Sequence, residues 1–384
     1  MSRIQRNTGF LFTPSQRIVN SWGDLSTGLN GFVPFITTDS SNNLYAGGNF
    51  TRAGDISVNR IAMWDGRTWN ALGSGTYKGV NYSLDSSSTQ VFSIVIDNSK
   101  NVIVGGFFDV VGNFVEANNI AKWDGTTWDR LSDFDSGMNN TVYSLALDNS
   151  NNLYAGGNFT TAGGLPANRI ARWNGTSWSA LGRGLRGSPF NLPRAIVVDS
   201  QNNVYVGGDF TDAGDISASK IAKWNGTTWS ALGAGMNDKV NDLAFDNSNN
   251  LYACGDFTRA GDVSANYIAK WDGTRWSALP SEVNNNVLSI IFKNNNLYAG
   301  GLFTQAGSSN SPYFAVWNGT SWNNLNSTIN SQVESVAVDN NGKPYVSGFF
   351  ITVPGLRIGQ LNQRNISSTN LINVSKLYKR IGII

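Results

Sequence analysis

VYSLALDNSNNLYAGGNFTTAGGLPANRIARWNGTSWSAL, residues 142–181, carries four short β-strand signals in succession. VYSLALD is an apolar strand, and NSNN is a polar turn whose side chains can hydrogen-bond nearby backbone. NLYAGGNF reads as a second strand, TTAGGLPAN as a loop, RIARW as a third strand, NG as a turn and TSWSALG as the fourth strand. Closely spaced strands joined by turn signals predict an antiparallel meander. Asn-Gly is a strong hairpin signal, because a type I′ turn needs positive φ at both central residues. That turn sets Trp173 opposite Thr176 and Ala171 opposite Trp178, with both indoles on one face along a diagonal. A four-residue loop would pair the two indoles directly, still on one face.

The unit recurs with a period of roughly fifty residues, which is the mark of a repeat architecture. Twelve of the thirteen tryptophans form six pairs: Trp64/Trp69, Trp123/Trp128, Trp173/Trp178, Trp224/Trp229, Trp271/Trp276 and Trp317/Trp322. The structural reading of these pairs is that each is wedged between adjacent sheets. Small-residue doublets mark seven units: Gly47-Gly48, Gly105-Gly106, Gly156-Gly157, Gly207-Gly208, Cys254-Gly255, Gly300-Gly301 and Ser347-Gly348. Gly weakens a strand unless something must approach closely, and the bulky Trp residues of neighbouring sheets are the expected reason. The seventh unit has strands near VESVAVD (333–339), KPYVSGFF (343–350) and RIGQLN (357–362), with Leu361 at the first Trp position and no fourth strand after it. SWGDLSTGLNG (21–31) matches SWSALGRGL (177–185), so Trp22 supplies the missing strand. The expected fold is all-β: a seven-bladed β-propeller of four-stranded antiparallel blades, closed by an N-terminal strand that completes the last blade. Residues 20–362 form the ring, with extensions at 1–19 and 363–384.

The composition narrows the chemistry. Charged residues are 14% of the chain and the net charge is +2, so no electrostatic footprint for nucleic acid appears. With no His, the commonest general base and transition-metal ligand are missing. Cys254 is the only cysteine and reads as a small core residue standing in for a Gly. The N-terminus lacks the apolar run of a signal peptide, and no stretch approaches a membrane span. The expected setting is therefore a virion or the cytoplasm. Neither a cofactor nor a metal is expected. Asn-x-Ser/Thr sequons, as at Asn49, Asn158 and Asn225, read as by-products of an Asn- and Thr-rich repeat.

An apolar strand ending in Gly-Gly, then an aromatic position, then Trp-x-x-Leu (Trp178 to Leu181, Trp229 to Leu232) resembles the kelch repeat. LYAGGNFT…NRIARWNGTSWSALG is similar to repeats of fungal bud-site cortical-marker proteins, and of propeller proteins from bacterial surfaces and large DNA viruses. The resemblance spans roughly residues 20–362 and implies a propeller. Propellers host many activities, so it assigns no function by itself. The kelch superfamily includes a copper oxidase with His and Tyr ligands; without His, that activity does not carry over. The bud-site proteins are membrane-anchored, whereas no signal or span is read here.

In such a meander the first-to-second and third-to-fourth turns share one rim, where they are short and uniform. The other rim carries the variable segments 74–90, 109–119 and 182–193. Variable loops on a rigid scaffold are where binding usually lives. The candidate binding residues on this rim are Tyr77, Lys78, Phe114, Glu116, Arg183, Arg186 and Arg194, with the three arginines forming a small basic cluster. Asp55, Asp215 and Asp262 sit equivalently in AGD loops, which offer few oxygens for calcium and read as turns. The leading function is a non-enzymatic structural or protein-interaction propeller. Its partners would be other proteins, copies of itself or components of a virus particle. A glycan-binding propeller is the alternative. A carboxylate-based glycosidase ranks last and would need residues such as Glu116 or Glu334 to face each other across a cleft. The apolar and basic tail at 371–384, with Lys376, Lys379 and Arg380, reads as an interaction element.

Overall fold

A computed structural model describes residues 17–74, 78–83, 89–131, 137–187, 192–325, 329–350 and 358–366, with 17–24 and 358–366 described as strands only. Tyr77 and most of both extensions, including 371–384, lie outside the described residues. Among the described residues the regular structure is all β, with no helix. Seven four-stranded antiparallel sheets carry it. Numbered along the chain by their first strands, they begin at Phe35–Thr38, Gln90–Ile96, Val142–Leu147, Leu192–Val198, Val240–Phe245, Val287–Lys293 and Val333–Val338.

In sheets 1 to 6 the strands follow chain order, as in Val142–Leu147, Leu153–Gly157, Ile170–Trp173 and Trp178–Ala180. Sheet 7 differs. Its third strand, Ile358–Ile366, pairs antiparallel with Arg17–Asp24, with Trp22 opposite Leu361. The first strands also touch in succession. Leu145 N–H donates to Ser93 Oγ (3.0 Å), Ile196 N–H to Ser144 Oγ (3.0 Å) and Val336 N–H to Ser289 Oγ (3.2 Å). Ile36 N–H of sheet 1 donates to Ser335 Oγ of sheet 7 (3.2 Å).

The Asn-Gly turn is not the two-residue type I′ turn that its dipeptide suggests. Trp173 lies directly opposite Trp178, Trp64 opposite Trp69, Trp271 opposite Trp276 and Trp317 opposite Trp322, across four-residue loops. The first loop residue decides this. Asp65 Oδ1 accepts the N–H groups of Arg67 (2.8 Å) and Thr68 (2.7 Å), closing an Asx turn, and only Gly66 needs positive φ. The two-residue turn does occur in sheet 6, where Asn294 and Asn295 both have positive φ between the paired Lys293 and Asn296.

The expectation that both members of every Trp pair are wedged between sheets needs correction. The second members, Trp69, Trp128, Trp178, Trp229, Trp276 and Trp322, are buried throughout. The first members differ: Trp64 and Trp317 are buried, whereas Trp123, Trp173, Trp224 and Trp271 stay partly exposed. The second members share one hydrogen bond. Each second Trp donates across the seam to the preceding sheet's side. Trp128 reaches Leu72 O (2.8 Å), Trp178 reaches Leu131 O (2.8 Å), Trp229 reaches Leu181 O (2.9 Å) and Trp276 reaches Leu232 O (2.8 Å). A buried N–H must find a partner, and the Leu of Trp-x-x-Leu presents its carbonyl at that point. Trp322 departs from the rule. The motif Trp276-x-x-Leu279 would offer Leu279 O, yet Trp322 donates to Ser281 O (2.7 Å), two residues further on. Pro280 lies between them, where the other units continue with Gly or a polar residue.

The doublets are small for a different reason from the expected one. A Cβ on the first Gly would meet an aliphatic side chain on the next sheet's first strand: Val91 for Gly47, Val142 for Gly105 and Val240 for Gly207. Trp is not the neighbour. A Cβ on the second Gly would run into a backbone carbonyl just before its own sheet's first strand, Thr141 O for Gly157 and Lys239 O for Gly255. Side chains can shift and a carbonyl in a ladder cannot. Hence Cys254 and Ser347 occupy first positions, while the second is Gly in all seven units.

The abundance of Asn has a physical use at the turn rim. Asn98 N–H donates to Asn151 Oδ1 (3.3 Å), Asn149 N–H to Asn202 Oδ1 (3.2 Å) and Asn340 N–H to Asn42 Oδ1 (2.9 Å), each joining neighbouring sheets. In the turns of the other six sheets, which carry an Asp where sheet 6 has none, the carboxylate is occupied by local donors. Asp148 accepts Ser150 N–H (2.9 Å), Asn152 N–H (2.8 Å) and the Asn152 amide (2.7 Å).

Candidate binding site at the mouth of the axial cavity

The first strand of each unit reads Val-x-Ser followed by an apolar residue, with variations. Its pairing with the second strand slips by one at x. Val142 opposes Gly157 and Ser144 opposes Gly156, leaving Tyr143 as an extra residue. The same slip isolates Phe92, Arg194, Asn241, Leu288 and Glu334. A bulge of this kind re-aims one side chain without breaking the sheet. The carbonyl that crowds the second Gly of the doublet lies beside this bulge. The glycine therefore positions the site.

The six bulged residues and Leu192 line one mouth of the axial space, a cavity of about 390 Å³. Deeper, a cavity of about 440 Å³ is lined by first-strand residues of all seven sheets. Both volumes fall within the usual range for ligand sites. The mouth is chemically uneven. Phe92 and Tyr143 form a tilted aromatic pair with ring centroids 5.3 Å apart. Arg194 is exposed beside them, and Glu334 lies three sheets further round, partly buried. Burial pushes the Glu334 carboxyl above its usual pKa, against a hydrogen bond from the Gln332 amide.

Deeper in the wall, Asp242 stands where sheets 2, 3, 6 and 7 have Ser. It serves the same seam, accepting Ile290 N–H at 2.9 Å, and also accepts Leu243 N–H at 2.8 Å. No salt bridge reaches it among the described residues. Burial pushes its pKa up to about 6, opposed by the Ile290 and Leu243 N–H groups and the Ser289 hydroxyl. Cys254, its cross-strand neighbour, is fully buried, and burial pushes its thiol well above the ordinary value.

Asp242 has a stability consequence. Its folded pKa of about 6 exceeds the unfolded value of about 3.9, so the folded state holds the proton more tightly. Stability is then highest below about pH 4, falls as pH rises toward 6 and is flat above, by on the order of 2–3 kcal/mol. Asp242→Asn keeps an acceptor for Ile290 N–H and removes the charge. Denaturant melts of both proteins from pH 4 to 8 should show the variant gaining on the wild type as pH rises. A constant difference across that range would contradict the reading. Exposed carboxylates such as Asp65, held down to about 2 by the Thr68 and Arg67 N–H groups, are common to both proteins and cancel.

The rim residues read from sequence are placed as follows. Arg183 and Arg186 lie 2.8 and 3.8 Å from Asp215 of an AGD loop, and all three are exposed. Such a pair contributes little to stability. Arg194 is apart from them at the cavity mouth, so the three arginines are not one cluster. Asp262 lies 3.7 Å from Arg259. Phe114 is 66% exposed at positive φ (66°) on a small hairpin whose second strand, Val115–Glu116, carries Glu116 on the surface. Lys78 is half-buried beside the Gly79 seam. Glu334 reaches the cavity and Glu116 does not, so that carboxylate pair does not converge. Phe92, Tyr143, Asn241, Asp242 and Leu288 were missed in the sequence. The signal was there: x is F, Y, R, N, L and E in six units, between neighbours of constant character.

A family model for the Rax2 C-terminal beta propeller domain matches residues 191–338. No curated protein matches the chain. Among solved structures, the WD40 β-propeller domain of Doa1 is similar at 14% identity and TM-score 0.53, covering 92% of this chain and 98% of that one. YCF48, described as bound to D1 peptide, is similar at 12% identity and TM-score 0.52, covering 91% and 96%. The extracellular domain of a protein described as a hybrid two-component system from B. thetaiotaomicron gives 13% identity and TM-score 0.57 over 90% of this chain, which spans 40% of that one. At these identities the likeness concerns the fold, which is that of a β-propeller. Among the described residues no helix is long and apolar enough to cross a membrane.

Proposed function

We propose that the chain is a non-enzymatic, kelch-like propeller of seven blades over residues 20–362, closed by the N-terminal strand, and that it works as a protein-interaction module in a larger assembly such as a virus particle. The partner engages the bulged mouth and the variable loops around it, including Phe114, Glu116, Arg183 and Arg186. The single observation behind this reading is the bulge. Six sheets each spend a register slip to aim one chemically different side chain at the same opening. Packing alone would favour one residue type at all six. Aromatic and Arg side chains at such a mouth are the types that dominate protein interfaces. A peptide-bound neighbour of the same fold is a precedent for the architecture.

The test is capture from the native source followed by mass spectrometry, comparing wild type with Phe92→Ala/Tyr143→Ala/Arg194→Glu. Loss of one protein partner with the fold intact is the expected result; an unchanged partner set would place binding elsewhere. The aromatic pair also favours a glycan-binding reading, since sugar faces stack on such rings. A glycan array that lights up for the wild type and not for the triple variant would decide for that reading.

A further inference from the structure

Resting on the mouth as the site of engagement, we infer that the axial cavity beneath it takes a cationic alkylammonium or guanidinium group, with Asp242 and Glu334 as its counter-charges and the Phe92–Tyr143 pair at its entrance. Three observations carry this.

First, the cavity wall is electrostatically unbalanced. Asp242 and Glu334 both line the 440 Å³ space, and neither is in a salt bridge among the described residues. Nearby carboxylates are treated differently: Asp209 is 2.7 Å from Lys220, and Asp256 is 2.7 Å from Lys239. Among the described residues Arg194 is the one cation lining this cavity, and it sits exposed at the rim, where water screens it.

Second, the Asp at 242 is not needed for the seam. Ser93, Ser144, Ser289 and Ser335 accept the neighbouring sheet's N–H equally well. A partly buried carboxylate in place of a hydroxyl adds a desolvation cost, and across the seam it takes Ile290 N–H, the bond a Ser would take, together with the Ser289 hydroxyl. Phe35 and Ala195 also depart from Ser here, but Asp242 alone places a charge at the position, and that is what points to function.

Third, the entrance suits a cation. A tilted Phe–Tyr pair offers ring faces, and an ammonium or guanidinium group is drawn to such faces on its way to a carboxylate. In a partner polypeptide the group is a Lys or Arg side chain, and Arg194 then meets a backbone carbonyl beside it. A free polyamine offers the same chemistry.

The test is titration calorimetry at pH 7.5 and low salt with three probes: the capped pentapeptide Ac-Ala-Ala-Lys-Ala-Ala-NH2, its norleucine analogue, and spermidine. The lysine peptide should bind at least about tenfold more tightly than the norleucine one, and Asp242→Ser/Glu334→Gln should erase that difference. Asp242→Ser copies sheets 2, 3, 6 and 7, so the variant should keep its fold, which a thermal melt checks. Spermidine binding that depends on both carboxylates, without peptide binding, supports the cation site and identifies a free amine as the source. Equal binding of the lysine and norleucine peptides overturns the cation site while leaving the mouth as a binding surface. No binding of lysine peptide or spermidine also overturns it, and the capture experiment with the triple variant then judges the mouth separately.

Discussion

Gly157→Ala should be among the most damaging single substitutions in this chain, at about 3–5 kcal/mol, and Gly156→Ala should cost only about 1–2 kcal/mol. The two glycines are adjacent in one strand and both are buried. A methyl at 156 would meet Ile196 Cδ1 at 2.8 Å and Pro193 at 3.1 Å, on the neighbouring sheet. The Ile196 side chain can change rotamer. A methyl at 157 would be driven into Thr141 O, and Val142 Cα lies just behind it. That carbonyl accepts Asn158 N–H at 2.8 Å and sits in the bulge that aims Tyr143. Relief would require undoing the bulge. Thermal melts should separate the two variants by roughly 2–5 °C, since a ring of this size has a large unfolding entropy. Equal midpoints would show that the carbonyl can move and that the bulge is soft. The position also links fold to function: a Gly157→Ala protein that survives should have a misplaced Tyr143 and weakened capture at the mouth.

The doublets illustrate what the sequence discloses and what it hides. Their recurrence reveals the repeat, because small residues at fixed spacing survive any loop variation. The reason for their smallness was not legible, since it depends on a carbonyl that approaches only after the strand bulges. The same bulge concealed the site. A strand read by simple alternation gives x no special direction, so the six residues at x looked like ordinary strand positions. The variable rim drew attention instead, and of its candidates Arg194 lies at the mouth because it is itself an x residue. The loop between the Trp residues stays open in the sequence, between a two-residue and a four-residue form, for a comparable reason. The Asn-Gly dipeptide suggests a two-residue turn, but the Asn side chain replaces backbone bonds and widens the loop, with Asn174 Oδ1 accepting both Thr176 and Ser177 N–H. The unequal burial within the Trp pairs was hidden as well, because spacing alone does not say which indole finds a carbonyl across the seam; Trp276 and Trp322 do, and Trp271 is left partly exposed. The alignment of Trp22 with the fourth-strand Trp needed no such knowledge. It rests on an apolar pattern that pairing preserves, and in the structure Trp22 and Leu361 stand opposite each other as Trp64 and Trp69 do.

Deleting residues 20–26 should lower the melting midpoint by more than any point substitution, or leave the chain unable to stay folded. Three losses coincide. The ladder from Arg17–Asp24 to Gly359–Ile366 is broken, which leaves the seventh sheet with an open edge that invites association. Leu25, fully buried, is removed from the core of sheet 1, at about 2–3 kcal/mol. The Trp69 indole N–H loses Leu25 O, 3.1 Å away, and a buried orphan donor costs about 1–3 kcal/mol more. These sum to a large share of the roughly 5–15 kcal/mol that a folded domain holds. Leu25→Ala separates the packing term from the strand, because it keeps the ladder and the carbonyl and should cost only the cavity. A synthetic peptide covering 17–29 should restore the midpoint of the 20–26 deletion when added in excess, as the edge of Ile358–Ile366 is then paired again. An unchanged midpoint on deleting 20–26 would mean that the seventh sheet stands on three strands and that the ring is held shut by the first strands alone, through Ile36 and Ser335.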